Sequence, residues 1–244
     1  MKKITWVICV VASACMVQGA LIEDSFETYT VGTNIGGNNG WTDQYTTASQ
    51  GVTVAATNSA LGTGSQAMHF VDNDATATLT NVRLWNVFTE SLTSAVFTFD
   101  FMETTYTQTP LFSIRKGIAT QAVALSLGSN IQYHNGTAFT TLTTGLTLGT
   151  WYEFKITTDV ANDTFDLMIS DADGVYFSAT GLAFRNAVDD LDRMDFSTNA
   201  GNGFTGADYY IDDVSVSAVP EPASLGLLSF AGALILFFRR YGKK

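Results

Sequence analysis

Carboxylates are the most plentiful reactive groups in this 244-residue chain, and two adjacent pairs stand out, Glu23-Asp24 near the start and Asp212-Asp213 towards the end. A Ca2+ ion takes several carboxylate and carbonyl oxygens at about 2.3 to 2.6 Å. Glu23 or Asp24 and Asp212 or Asp213 could therefore share one such ion if their strands are neighbours. A second oxygen-rich run, Asp171-Ala172-Asp173-Gly174, lacks the glutamate that closes a helix-loop-helix calcium site, Thr180 standing in its place. Flanked by Leu167-Ile169 and Tyr176-Phe177, that Asp-Gly reads as a hairpin turn. His69 and His134 fit neither a metal spacing nor a triad, so both are read as ordinary strand or loop residues. Cys9 and Cys15 fall within the first nineteen residues, so residues 20–218 offer no disulfide, thiol nucleophile or thiolate metal site.

Sugar binding needs exposed aromatic rings beside amides and charged groups. Trp41 after Gly36-Gly37-Asn38-Asn39-Gly40, Trp85 with Arg83 and Asn86, and Tyr133-His134-Asn135 fit that description, core packing being the alternative for each ring. Net charge narrows the partners. Residues 20–218 hold 22 acidic residues against six basic ones (Arg83, Arg115, Lys116, Lys155, Arg185 and Arg193), which leaves −16. Such a surface repels nucleic acid and anionic lipid and suits divalent cations or neutral glycans, or simply keeps the domain soluble.

The elements that must hold these residues are strands. Phe97, Phe99 and Phe101 alternate with Thr98, Asp100 and Met102, the period of a half-buried strand. Short runs of the same kind recur at 52–55, 67–71, 76–79, 111–115, 122–127, 131–133, 151–157, 164–170, 176–179, 194–197 and 209–216, with Gly, Asn, Asp and Thr clusters between them. The pattern predicts an all-β fold, an antiparallel two-sheet sandwich or barrel, with Ala187–Leu191 the one candidate helix and Asp189 to Asp195 a solvated connection.

The two ends read differently. Met1-Lys2-Lys3 and the apolar segment from Ile4 predict a signal peptide over residues 1–19, cut after Gly19; Ala12-Ser13-Ala14-Cys15 only faintly suggests lipidation. At the other end, residues 219–244 combine Val219-Pro220-Glu221-Pro222, the uncharged stretch Ala223 to Phe238, and Arg239-Arg240. The nine strongly apolar residues of that stretch favour membrane insertion by roughly 3 to 5 kcal/mol. As a short transmembrane helix its sixteen residues reach only about 24 Å, against a hydrocarbon core of about 30 Å. Arg239 and Arg240 would stop it on the cytoplasmic side of the inner membrane. This order of parts resembles the PEP-CTERM sorting signal of Gram-negative bacteria. The resemblance implies recognition by an exosortase, a membrane protease-transpeptidase, a transient hold in the inner membrane, and delivery to the envelope surface or extracellular matrix.

Three pieces of residues 20–218 resemble the concanavalin A-like, laminin-G-like jelly-roll superfamily: Glu23-Asp24-Ser25-Phe26-Glu27 with Asn34 to Trp41, Gly149-Thr150-Trp151-Tyr152-Glu153-Phe154, and Tyr209 to Val216. The resemblance implies two packed curved sheets with the first and last strands close together. Glycosidases of that superfamily carry Glu, Asp and Glu at alternate positions of one strand, and no stretch here matches. The expectation is therefore a structural or carbohydrate-associating domain without enzymatic activity, partnered with extracellular polysaccharide. A polysaccharide-degrading enzyme and a protein-adhesion module are the alternatives.

Overall fold

A computed structural model of the chain describes residues 20–44, 50–57, 59–62, 64–73, 82–105, 109–198 and 206–219. The signal peptide, both cysteines, the 76–79 run and the sorting tail from Pro220, with Glu221, Pro222, Arg239 and Arg240, lie outside the described residues.

Fifteen strands follow one another: β1 (Ile22–Asp24), β2 (Trp41–Gln44), β3 (Gln50–Ala55), β4 (Ala67–Asp72), β5 (Arg83–Leu92), β6 (Ser94–Glu103), β7 (Leu111–Lys116), β8 (Thr120–Ser126), β9 (Asn130–His134), β10 (Phe139–Thr144), β11 (Tyr152–Asp159), β12 (Thr164–Asp171), β13 (Gly174–Ala183), β14 (Leu191–Ser197) and β15 (Ala207–Ala218). They form two antiparallel sheets. Sheet A runs β13-β12-β11-β6-β15-β4-β3 with β1 also on β15, and sheet B runs β10-β9-β8-β7-β14-β5-β2. Neighbours in each sheet come from distant parts of the chain, as in a jelly roll. Ala187–Leu191 is not a helix but an irregular link that leads into β14.

Strand β6 shows why the sheets stack. Phe97, Phe99 and Phe101, each 1% exposed, fill the space between the sheets. Phe99 stacks on Phe154 of β11 at 5.2 Å and meets Phe196 of β14 edge-on at 5.1 Å. Edge-on and offset rings are the favourable arrangements of the aromatic quadrupole, so these contacts fix the spacing of the sheets as well as burying area. Intervening side chains on every strand are then left to the two outer faces.

The last strand organises sheet A. All along its length β15 pairs with β6, while its other edge is shared, β4 taking Ala207 to Ile211 and β1 taking Val214 to Val216. A bulge at Asp212-Asp213, where Asp213 adopts φ 45°, separates the two halves. First and last strands thus close on each other, which removes an open edge. The Asp171–Gly174 segment is the tight turn between β12 and β13, with the Asp173 amide donating to Asp171 Oδ1 at 2.9 Å.

Candidate functional site

Leu84, Phe112, Ile114, Met194 and Phe196 take the inward positions of β5, β7 and β14. Alternation then sends Arg83, Trp85, Arg115, Arg193 and Asp195 to the outer face of sheet B. Strand β14 lies between the other two, so Asp195 faces Trp85 on one side and Ser113 on the other, and Arg193 faces Arg115.

Asp195 is the hub of this face. Its carboxylate is 2% exposed and accepts from the guanidiniums of Arg83, Arg115 and Arg193. Arg193 and Arg83 also lie against the Trp85 ring, at 4.5 and 5.7 Å from its centroid, a cation–π arrangement. Arg115 is further held by Ser113 Oγ at 2.9 Å and the Ile118 carbonyl at 2.7 Å. Next to it, Gln121 of β8 accepts from Arg185, whose own amide donates to the Ala122 carbonyl at 2.7 Å. All four arginines of residues 20–218 therefore gather on one sheet face. Burial, together with the charges of Arg83, Arg193 and Arg185 and against the pull of Asp195, pushes the Arg115 guanidinium down to about 10. Three guanidiniums around one carboxylate leave a local charge of +2 in a region whose net charge is −16.

The outer face of sheet A is acidic instead. Glu153, Asp100 and Asp212 occupy one rung across β11, β6 and β15. Asp100 and Asp212 are 4% and 3% exposed, tucked under the segment around Ser59, whose amide donates to Asp212 Oδ2 at 2.8 Å. Burial raises Asp100 to about 6, with Asp213 and Glu153 adding and the Ser59 hydrogen bond opposing. Asp212 rises to about 7, again chiefly by burial. Close by in the same sheet but facing inward, Glu103 is 5% exposed, its Oε2 has no hydrogen-bond partner, and burial takes it to about 8.

The residues singled out from sequence divide between these places. Trp85 lands on the arginine face. Trp41 does not reach a surface at all: it is 1% exposed, packs against Phe26 and Phe196, and donates from Nε1 to Asp24, so its ring is structural. Tyr133 turns inward against Phe165 at 6.1 Å, because its register partner Leu125 faces the core. His69 bonds Asp208 at 2.8 Å and stacks on Tyr210, while His134 lies on the Phe139 ring.

The calcium quartet is not one site. Strands β1 and β15 are indeed paired, yet Glu23 points outward while Asp24, 6% exposed, points in. Both oxygens of Asp24 are taken: Oδ1 by the Phe26 amide at 3.0 Å, and Oδ2 by Tyr29 at 2.7 Å, Asn39 at 3.1 Å and Trp41 at 2.9 Å. Asp212 faces Ser59 on the other side of the sheet, and Asp213 lies against the Gly62 segment. Among the described residues no group of three His, Cys, Asp or Glu side chains is placed to hold a metal ion. Asp24 is better understood as the clamp of the first loop. Asp24→Ala should cost about 3 kcal/mol, since four donors, two of them buried, lose their acceptor, measured by urea unfolding. A loss under about 1 kcal/mol would mean that water replaces the carboxylate.

Sequence reasoning finds Trp85 and Arg83 and misses Arg115, Arg193 and Asp195. The available signal is Arg193-x-Asp195 at strand spacing, which the neighbouring run Asp189-Asp190-Leu191-Asp192 disguises as a solvated acidic loop. Asp190 and Asp192 do pair with Lys116 at the rim, whereas Asp195 is a buried strand residue.

No family model and no curated protein matches the chain. Solved structures do share its fold. A sialidase superposes with TM-score 0.62 at 13% identity, over 85% of this chain and 19% of the sialidase, so the chain spans about a fifth of that protein. An endo-beta-1,4-glucuronan lyase from the fungus Trichoderma reesei gives 0.54 at 14% identity, over 78% and 96% of the two chains. The GH131 beta-glucanase catalytic domain from Podospora anserina gives 0.50 at 12%, over 69% and 79%. At these identities the likeness is one of fold, a jelly-roll sandwich. It nonetheless corrects the expectation of a domain without enzymatic activity. That expectation rested on one missing strand motif, and the same sandwich is the scaffold of a lyase and a glucanase, so the motif's absence removes one reaction type and not catalysis.

Proposed function

We propose that residues 20–218 form a polysaccharide-active jelly-roll domain, one that binds and degrades a glycan chain laid along the outer face of sheet B. The carrying observation is the assembly of Trp85 with Arg83, Arg115 and Arg193 on that face, a ring for stacking sugars beside multiple hydrogen-bond donors. The jelly-roll likeness to carbohydrate-active enzymes supports the reading at the level of scaffold. In this proposal the signal peptide exports the domain and an exosortase-type system recognises Val219-Pro220-Glu221-Pro222. The short apolar helix, stopped by Arg239-Arg240, holds it in the inner membrane until release to the envelope surface or matrix.

The test is retention of the purified protein on polysaccharide gels, together with an assay of new chain ends in the bound polymer. Trp85→Ala should lower affinity roughly tenfold, the loss of one stacked ring at about 1.4 kcal/mol, with melting temperature little changed because the ring lies on an outer face. Unchanged retention would move the glycan away from this face. Bound polymer without new chain ends would reduce the domain to a binding module.

A further inference from the structure

We infer that the chain held on this face is anionic, its carboxylate or sulfate groups docking on the guanidiniums of Arg83, Arg115 and Arg193. The inference rests on the reading of sheet B as the polysaccharide-binding face and adds the chemical class of the polymer.

Charge balance carries it. Asp195 is the only carboxylate that the described residues bring into ion-pair contact with the three arginines, and it neutralises one of them. The side chains of Arg83, Arg115 and Arg193 are 21%, 13% and 5% exposed, so water solvates the two surplus charges poorly. Withdrawing cations from water without a counter-ion is costly, and a ligand anion removes that cost. Donors also remain for it. Each guanidinium offers about five N–H groups, whereas towards described residues Arg83 and Arg193 each use a single nitrogen, both on Asp195.

The choice of side chain points the same way. Every arginine of the domain is on this face, while lysine contributes only Lys116 at its rim. Guanidinium presents a planar fork that matches carboxylate and sulfate oxygens two at a time, which an ammonium does not. Register places the groups for a polymer. Arg115, Arg193 and Trp85 sit on three adjacent strands, β7, β14 and β5, and strands are about 4.8 Å apart. A chain crossing them meets two cationic forks and then an aromatic ring. The surrounding charge of −16 makes the attraction local, so polyanions without sugar faces for Trp85, such as nucleic acid, gain little.

The decisive experiment is affinity electrophoresis of the purified protein in gels containing polygalacturonate, dextran sulfate or neutral dextran, at low and at 0.3 M NaCl. Retention by at least one of the charged polymers, weakened by salt and exceeding that by neutral dextran at least tenfold, is expected. Preference between the two charged gels tells carboxylate from sulfate. Arg83→Gln with Arg115→Gln should lower that retention roughly ten- to hundredfold, the melting curve reporting that the variant is folded. Arg115→Gln alone gives a second reading if the double variant does not fold. Equal retention on neutral dextran, sensitive to Trp85→Ala, would overturn the anionic class and leave the binding face standing. No retention on any gel would overturn both. Binding of charged polymer unaffected by the arginine changes would overturn the inference as well.

Discussion

Asp195→Asn is expected to destabilise the fold by about 3 to 5 kcal/mol, the range for removing one partner from a buried ion pair. For a domain of this size that lowers the melting temperature by roughly 10 °C. The substitution changes almost no volume and keeps an acceptor oxygen, so the loss is electrostatic. Three guanidiniums that now converge on one carboxylate would face one another, and Arg193, 5% exposed, would have the least water to retreat to. The positions around it make escape difficult, since Ser113 and the Ile118 carbonyl hold Arg115 and the Trp85 ring holds Arg193. Added sulfate or phosphate should recover part of the loss by occupying the vacated place between the guanidiniums. Arg193→Gln introduced together with Asp195→Asn should recover part of it too. Thermal and denaturant unfolding measure both. A loss below about 1 kcal/mol would show that the three charges are independently solvated, and the electrostatic account of this face would fail with it.

The strength of that cluster also explains why so little of it was legible in sequence. Strands with one apolar and one polar face announce themselves, and β6, β11 and β15 are such strands because Phe, Ile and Val alternate with Thr, Asp and Ser. Strand β5 does the reverse at its centre: Asn86 points in and is 4% exposed, while Trp85 and Val87 point out, so hydrophobicity gives no period of two. Strand β10 is hidden for another reason, its threonines being exposed on both sides at a sheet edge. The buried use of Trp41 was open in principle, but a tryptophan after glycines and asparagines looks like an exposed loop until Asp24, seventeen residues away, is seen to accept its N–H. Pairing of β1 with β15 could be anticipated because a sandwich gains from closing its edge. The direction in which each carboxylate of those strands points could not, since it depends on a bulge at Asp212-Asp213 that no spacing in the sequence marks.

Raising pH from about 5 to 8 should weaken the fold, the opposite of the usual behaviour of an acidic protein whose carboxylates are salt-bridged. Glu103 is the main cause. Folded, its carboxyl rises from the ordinary 4.5 to about 8 because it is buried with Oε2 unpartnered; unfolded, it returns to the ordinary value. Below pH 4.5 both states hold the proton and stability is greatest with respect to this group. Between 4.5 and 8 only the folded state holds it, so each further unit costs up to about 1.4 kcal/mol, on the order of 4 to 5 kcal/mol in all. Asp212 and Asp100, raised to about 7 and about 6, act with the same sign over lower windows. Glu103→Gln abolishes the titration, so it should flatten the upper part of this slope and leave the variant more stable than the parent at pH 8. At pH 5 the order should reverse by about 1 kcal/mol, because the amide brings two donors into a place where neither Glu103 Oε2 nor the Tyr209 hydroxyl has a hydrogen-bond partner. Denaturant melts of parent and variant at pH 5, 6.5 and 8 read this directly. Parent stability that climbs with pH across that range, or a variant whose curve parallels the parent's, would mean that Glu103 is ionised in the folded protein and that its burial is compensated by a cation or by water.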